Sequence, residues 1–215
     1  MQHKLRCKKI YLAVDGDDYF KCTLDPAYKT GSHTIDNDEI VSQIIEISLT
    51  LSDYNVIMDR SLEADDVSYC FCRDNNHCVC LSEDRDWAYN LTANTDIKLY
   101  QQKTLIHRSN FQNHFGYPVD RIGLALFLQG DAKDGVKKPF RIQGKLVENV
   151  LRYDSINDYV ADRKLDKQDI SHYLELLLPI TNRRYGIRTG KRNSKTLDYI
   201  SQNRMSFLKA TQGLT

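Results

Sequence analysis

The 215-residue sequence predicts an α/β fold, with a central, mostly parallel sheet, helices on both faces and an all-helical C-terminal region. Three observations carry this. Short β-rich runs alternate with helical periodicity as far as about residue 108, helical periodicity then continues alone, and clusters of acids directly follow the β-rich runs.

The first strand is "KIYLAV" (9–14), which reads as buried and is followed by Asp15 and Gly16. Residues 35–51 ("IDNDEIVSQIIEISLTL") place Ile40, Val41, Ile44, Ile45 and Ile47 on one face of an amphipathic helix, and "NVIM" (55–58) is the second strand. A helix then starts near Glu63, "HCVCL" (77–81) is a strand, and "DIKLY" (96–100) is the next. Alternation of this kind packs helices against a parallel or mixed sheet, whose sites lie beyond the carboxyl ends of the strands. The helical part follows as "SNFQNHF", "VDRIGLALFLQ", "GKLVENVLRY", "SINDYVADRK" and "KQDISHYLELLLP". One loop, "GDAKDGVKKPFRIQGK" (130–145), interrupts it. After Pro179 the sequence reads as a basic loop and a final helix over 194–209. The resulting division is a core over 1–115, a helical region over 116–180 and a basic tail over 181–215.

Net charge is +1, so only the distribution of charge is informative about partners. Acids gather at 15–18, 36–39, 63–66 and 83–86, whereas 181–195 holds six basic residues and no acid. No apolar run approaches the ~20 residues of a membrane span, and the apolar segment near the N-terminus is too short for a signal peptide. The expectation is a soluble, cytoplasmic monomer with its six cysteines reduced.

Residues 61–87 contain two metal sites on paper. Cys70, Cys72, His77, Cys78 and Cys80 suggest zinc, whose four ligands must converge at ~2.3 Å from one point. Cys70 and Cys72, however, lie two residues apart in a helix and point ~200° away from each other. Cys78 and Cys80 share one face of a strand, so the thiols read as small buried hydrophobes. The acids behave differently. Asp15, Glu63, Asp65, Asp66, Asp84 and Asp86 all fall on the carboxyl edge of the sheet, and Asp131 and Asp134 join them from the 130–145 loop. Any one cluster is explained by helix capping, but four on one edge repel unless a cation offsets them. Hard oxygen ligands suit Mg2+ or Mn2+, and two such ions ~3.5–4 Å apart suit phosphodiester hydrolysis.

These motifs resemble the bacteriophage flap endonuclease and 5′–3′ exonuclease family, PIN-like 5′ nucleases that include the nuclease domain of bacterial DNA polymerase I. "LEADDV" is similar to that family's E-A-D-D helix start, "LSEDRDW" to its S-x-D-x-D strand end, and "GDAKDGV" to its G-D-x-x-D-N-I loop with Gly135 in place of Asn. "VDGDDYFKCTLDPAYK" resembles the stretch in which an Asp ends a strand, a basic residue, here Lys21, follows in a hairpin, and P-x-Y-K leads onward. The resemblance implies that Asp15, Glu63, Asp65, Asp66, Asp84, Asp86, Asp131 and Asp134 hold two Mg2+ or Mn2+ ions, with Asp15, Asp65, Asp84, Asp86 and Lys29 catalytic. Lys29 takes the part of the lysine at the scissile phosphate. The implied substrate is DNA with 5′ flaps, forks or duplex ends, contacted by Lys21, Lys133, Lys137, Lys138, Arg141 and Lys145.

Three departures stand beside it. The family's earlier strand, ending in Asp-Gly, is absent from this sequence; the arginine three residues after the lysine is Ser32; and the G-I-G-x-K of the helix–three-turn–helix reads Arg141-Ile142-Gln143-Gly144-Lys145. The resemblance therefore implies a metal-dependent 5′ nuclease, the alternative being a relative that binds branched DNA without cutting it. A compact PIN-type ribonuclease shares the acidic edge, but it lacks the "GDAKDG" loop and the helices after it.

Overall fold

The computed structural model describes residues 8–16, 20–29 and 54–189. The helix expected over 35–51, the final helix over 194–209 and Ser32 lie outside the described residues. In chain order the elements are β1 (Ile10–Ala13), α1 (Phe20–Leu24), β2 (Tyr54–Met58), α2 (Ala64–Asp74), β3 (Val79–Leu81), a 3-10 helix (Asp86–Thr92), β4 (Lys98–Gln101) and β5 (Thr104–Ile106). They continue as α3 (Phe111–Phe115), a 3-10 turn (Val119–Arg121), α4 (Ile122–Gln129), α5 (Leu146–Arg152), α6 (Ile156–Arg163), α7 (Lys167–Leu177) and β6 (Gly186–Thr189). No helix among the described residues is long and apolar enough to cross a membrane.

The chain divides into two compact units. One comprises Met1–Leu12, Ile35–Ile57 and Ile187–Thr215, the other Ala13–Thr34 and Met58–Gly186. The described part of the first is built on a three-stranded sheet in the order β1-β2-β6. Its β2 residues Val56 and Ile57 are buried, and the Asn55 side-chain amide donates to the Ile10 carbonyl.

The second unit contains the other sheet, in the order β3-β4-β5. β3 and β4 run parallel, with Cys80 opposite Leu99, and β4 and β5 form an antiparallel hairpin with Leu99 opposite Ile106. Thus the α/β class holds, while the strands are shared between two sheets rather than one. The hairpin is invisible to the usual signals because its turn is Gln102-Lys103, both at positive φ (48° and 63°), where Asn-Gly or Gly would announce it. β6 sits in the tail expected to be a loop. With one apolar residue in Gly-Ile-Arg-Thr and all four residues exposed, it has no alternation to reveal it.

Helix α4 is the centre of the unit. It is apolar on every side, and Ile122, Leu124, Ala125, Leu126, Phe127 and Leu128 are all buried, as expected of a helix enclosed by others. Around Phe127 stand Phe140, Tyr159 and Tyr173 at ring-centroid distances of 4.8, 5.9 and 5.5 Å. The helix stops at Gly130, φ 69°, where a Cβ would come within 2.8 Å of the Lys138 side chain. This stop releases the chain into the 130–145 loop. Helices α6 and α7 begin at true caps: the Ser155 hydroxyl accepts from the Asp158 amide, and the Asp166 carboxylate accepts from the amides of Gln168 and Asp169.

Candidate active site

Four segments of the second unit converge on one acidic cavity. The first is the end of β1. Gly16 donates its amide to the Leu62 carbonyl at 2.8 Å, and a Cβ there would lie 2.3 Å from the Arg60 carbonyl oxygen, so only glycine permits the approach. Asp15 is thereby held against the start of α2, where its carboxylate accepts the Ala64 amide at 2.7 Å.

The second segment is the first turn of α2. Ligand oxygens of Glu63, Asp65 and Asp66 lie within 4.8 Å of one another. Asp66 is buried, and its carboxylate accepts the Ile180 amide at 2.7 Å and the Glu63 amide at 3.2 Å. Glu63 is buried as well, with Lys21 Nζ 2.7 Å from Oε2 and Lys29 Nζ paired to Oε1. The Tyr28 hydroxyl donates to the same carboxylate at 2.9 Å. Two cations and a phenol are thus aimed at a single carboxylate.

The third segment follows β3. The Asp84 amide donates to the Ser82 hydroxyl at 3.0 Å, the Asp86 amide donates to the Asp84 carboxylate at 3.1 Å, and buried Gln101 secures the Asp84 carbonyl. The fourth is the 130–136 loop, in which the Asp131 carboxylate accepts the amides of Lys133 and Asp134 and its backbone bridges to Val136. The Lys29 amide donates to the Asp134 carbonyl at 3.0 Å and ties the Pro26–Lys29 stretch to this loop.

The cavity they enclose has a volume of about 220 Å³ and is lined by Asp15, Lys29, Glu63, Asp65, Asp84, Asp86, Asp131 and Asp134, with Ala64, Trp87, Leu176 and Leu177. Seven of the eight acids singled out in the sequence therefore meet; Asp66 lies outside the lining, bound to amides. Burial pushes the Asp65 carboxyl up to about 7, opposed by Lys21 and reinforced by Asp66 and Glu63. Asp86 is raised to about 6 by burial, with Asp84 and Asp131 adding to it. Asp66 and Asp134 are raised too, chiefly by burial. Glu63 goes the other way, since Lys21 and Lys29 outweigh its burial. Lys29 stays protonated well above neutrality: burial works against its charge, and Glu63 and Asp134 more than offset it.

This is negative charge in excess of the local cations, on groups whose chemistry is that of hard oxygen donors. The thiols, in contrast, do not assemble a tetrahedral site. Cys70 points at the Ile180 carbonyl, His77 is 82% exposed beside Asp96, and Cys72 joins Cys80 on the sheet side.

Lys21 departs from its expected place. It lies in the short helix α1 rather than a hairpin and is 2% exposed beneath Glu63, so its ammonium offsets carboxylates and cannot reach a DNA backbone. Lys133, Lys137, Lys138, Arg141 and Lys145 are exposed along the 130–145 loop. Gly144 takes a left-handed φ of 79° just before Lys145 caps α5. Trp87, Leu176, Leu177 and the Ile180 amide belong to the site without any signal in the sequence to mark them. Tyr28 was within reach, since it stands in the P-x-Y-K segment.

No family model matches the sequence, and no curated protein matches it. Solved structures do. The T5 D15 protein co-crystallised with metal ions superposes with a TM-score of 0.59 at 14% identity, over 82% of this chain and 76% of its own. A variant of the bacteriophage T5 D15 flap endonuclease, in a pseudo-enzyme–product complex with DNA and metal ions, gives 0.59 at 15% identity over 81% and 73%. The T5 5′-exonuclease with bound zinc gives 0.56 at 15% over 81% and 72%. The fold is a flap-endonuclease, 5′–3′-exonuclease fold. The acidic cavity thus lies in a PIN-like α/β framework shared with nucleases solved with metal ions.

Proposed function

We propose that this protein is a metal-dependent, structure-specific 5′ nuclease that hydrolyses DNA phosphodiesters, using two Mg2+ or Mn2+ ions. The observation that carries the proposal is the convergence of seven carboxylates and Lys29 on one cavity. The T5 relatives, one of them solved with DNA and metal ions, supply the framework for reading that cavity.

The residues fit the ions unequally. Asp15, Asp65, Asp84, Asp86, Asp131 and Asp134 are the donors suited to hold them, whereas Glu63 and Asp66 are committed to Lys21, Lys29, Tyr28 and backbone amides and act as positioning groups. Bound divalent ions supply acidified water and neutralise charge on the phosphate. The chain's own contribution is the Lys29 ammonium, fixed by Glu63 and 3.7 Å from Asp134, at the edge where a scissile phosphate would enter. Charge fixed in advance favours the more negative transition state over the ground state. Lys133, Lys137, Lys138, Arg141 and Lys145 form the backbone-contacting surface, so affinity depends on phosphate charge rather than base sequence.

The test is single-turnover cleavage of a 5′-flap DNA in Mg2+. Cleavage by the wild type, lost in Asp84→Ala and Asp131→Ala and retained in Cys78→Ala, supports the proposal. Tight binding of forked DNA with no cleavage in either metal would replace it with the reading of a branched-DNA binder.

A further inference from the structure

We propose that a second cavity, beside the acidic one, binds a nucleoside 5′-monophosphate, with guanine as the preferred base. The proposal rests on the nuclease reading for the source of that nucleotide, a 5′-phosphorylated strand end or a released mononucleotide. The chemistry of recognition is the cavity's own.

The cavity has a volume of about 450 Å³, against about 220 Å³ for the acidic one. Small-molecule sites span roughly 300–1,000 Å³, so the larger cavity has room for an organic ligand where the smaller suits ions. Leu176 lines both, which makes them neighbours.

Three segments build it. Helix α7 supplies Gln168, Asp169, His172, Tyr173 and Leu176, a spacing that puts all five on one helix face. The start of that face is fixed by the Asp166 carboxylate, which accepts the amides of Gln168 and Asp169. The turn after α1 supplies Asp25 and Ala27, held together by the Ala27 amide donating to the Asp25 carboxylate at 2.8 Å. The 130–145 loop closes the third side with Gly135, Val136, Lys137 and Pro139, and the Val136 amide anchors it on the Asp131 carbonyl at 2.9 Å.

Gly135 is what leaves the space open. At its φ of 77°, an added Cβ would meet, among the described residues, only the Ala27 carbonyl oxygen, 3.3 Å away. Position 135 therefore faces the room beside Ala27, and the Asn found here in the resembled loop motif would put its amide into it. Asn tolerates a left-handed φ, so the backbone alone does not demand glycine. The departure from the motif is also the change that makes room.

The lining matches the two ends of a nucleotide. A nucleobase has apolar faces and a polar edge; Val136, Pro139 and Leu176 offer apolar contact, and Asp25, Gln168 and Asp169 offer acceptors. The pairing edge of guanine presents adjacent N–H donors that match the paired oxygens of a carboxylate, whereas thymine has no amino group to give. Asp25 already holds the Ala27 amide, so Asp169 is the carboxylate suited to both donors. The Lys137 ammonium and a His172 ring N–H are donors for the phosphate. A metal ion is the poorer fit, since among the described residues the acids whose ligand atoms converge are Glu63, Asp65 and Asp66.

The test is titration calorimetry of the full chain with dGMP, dTMP and deoxyguanosine in chelator, so that no ion in the acidic cavity takes up the phosphate. One dGMP per chain is expected, with dTMP weaker by about tenfold or more, the scale of one lost bidentate contact, and deoxyguanosine weaker as well. Gly135→Asn should lower dGMP affinity by a similar factor, and Asp169→Asn, on the exposed start of α7, should abolish the preference for dGMP over dTMP. Displacement of dGMP by a guanine-ended oligonucleotide with a 5′-phosphate, and not by its 5′-hydroxyl form, identifies the strand end as the source; displacement by neither identifies the free mononucleotide. No dGMP binding, equal affinity for dTMP, displacement by both oligonucleotides alike, or binding unaltered in both variants overturns the proposal. Cleavage of flap DNA by the same protein in Mg2+ reports separately on the nuclease reading, so either can fail without the other.

Discussion

Replacing Asp86 with Asn should stabilise the metal-free protein at alkaline pH and destabilise the metal-loaded one. Asp86 opens the 3-10 helix after β3 and lines the cavity, where burial, then Asp84 and Asp131, raise its carboxyl from an ordinary 3.8 to about 6. Keeping it ionised at pH 8 thus costs the fold about 3 kcal/mol at ~1.4 kcal/mol per pKa unit, falling toward about 1 as its partial exposure screens the repulsion. Asn keeps the shape and removes the charge. With chelator at pH 8, Asp86→Asn is expected to gain about 1–3 kcal/mol, a rise in melting midpoint of roughly 2–4 °C per kcal/mol for a chain of this size. The pH sign follows from the raised folded-state value: the wild type holds its full contribution below about 3.8 and loses it as pH rises through about 6. The gap between variant and wild type therefore opens between about pH 4 and pH 7. Saturating Mg2+ inverts the order, because a ligand that binds only the folded state stabilises the protein that retains its donors. Thermal melts by circular dichroism in a grid of pH and Mg2+ measure all of this. A variant less stable than wild type in chelator at pH 8, or a gap indifferent to pH, would refute the claim that this carboxylate is held in uncompensated repulsion.

Three further outcomes are expected. Glu63→Gln leaves Lys21 buried without its nearest carboxylate and should cost about 3–5 kcal/mol in urea unfolding; a loss under about 1 kcal/mol would mean that Asp65 and Asp66 suffice to hold the lysine. Gly16→Ala drives a methyl into the Arg60 and Asp59 carbonyls and should cost about 1–3 kcal/mol or more, with Mg2+ affinity in titration calorimetry falling as Asp15 loses its anchor on the Ala64 amide. Neutralising Lys133, Lys137 and Lys138 together should flatten the log–log salt dependence of DNA binding by about 0.9 for each phosphate no longer neutralised, and an unchanged slope would take the 130–145 loop off the DNA.

Six of the eight acids were legible in the sequence because they come after strands, and strand ends are where an α/β fold exposes its chain to ligands, whereas Asp131 and Asp134 come from the loop after α4. Their arrangement was less so. Lys21 reads as one more basic residue near acids, and only the packing of α1 shows its ammonium enclosed under Glu63. Tyr28, with its hydroxyl on the same carboxylate, had no acid–base signature of its own. Helical periodicity is enough to put Cys70 and Cys72 on opposite faces of α2, yet the contact of Cys72 with Cys80 depends on how the helix rests on β3, a tertiary property that local periodicity does not contain. The hairpin turn at Gln102-Lys103 and the strand Gly186–Thr189 show the same limit, since pairing imposed from elsewhere overrides weak local preference.

The Ile180 amide that binds Asp66 has a consequence for how the molecule is made. The two groups are 114 residues apart in the chain, so during synthesis the carboxylate waits for a partner that has not yet been translated. At roughly 5–20 residues per second, that wait is on the order of 6 to 23 seconds, plus the time for the ribosomal tunnel to release the segment. Loop closure over such a distance comes late in folding as well as late in translation. The first turn of α2, which offers three of the eight acids, therefore reaches its final form only after almost every described residue has been made. A nascent chain stalled before residue 180 would carry the acids without the amide that fixes one of them.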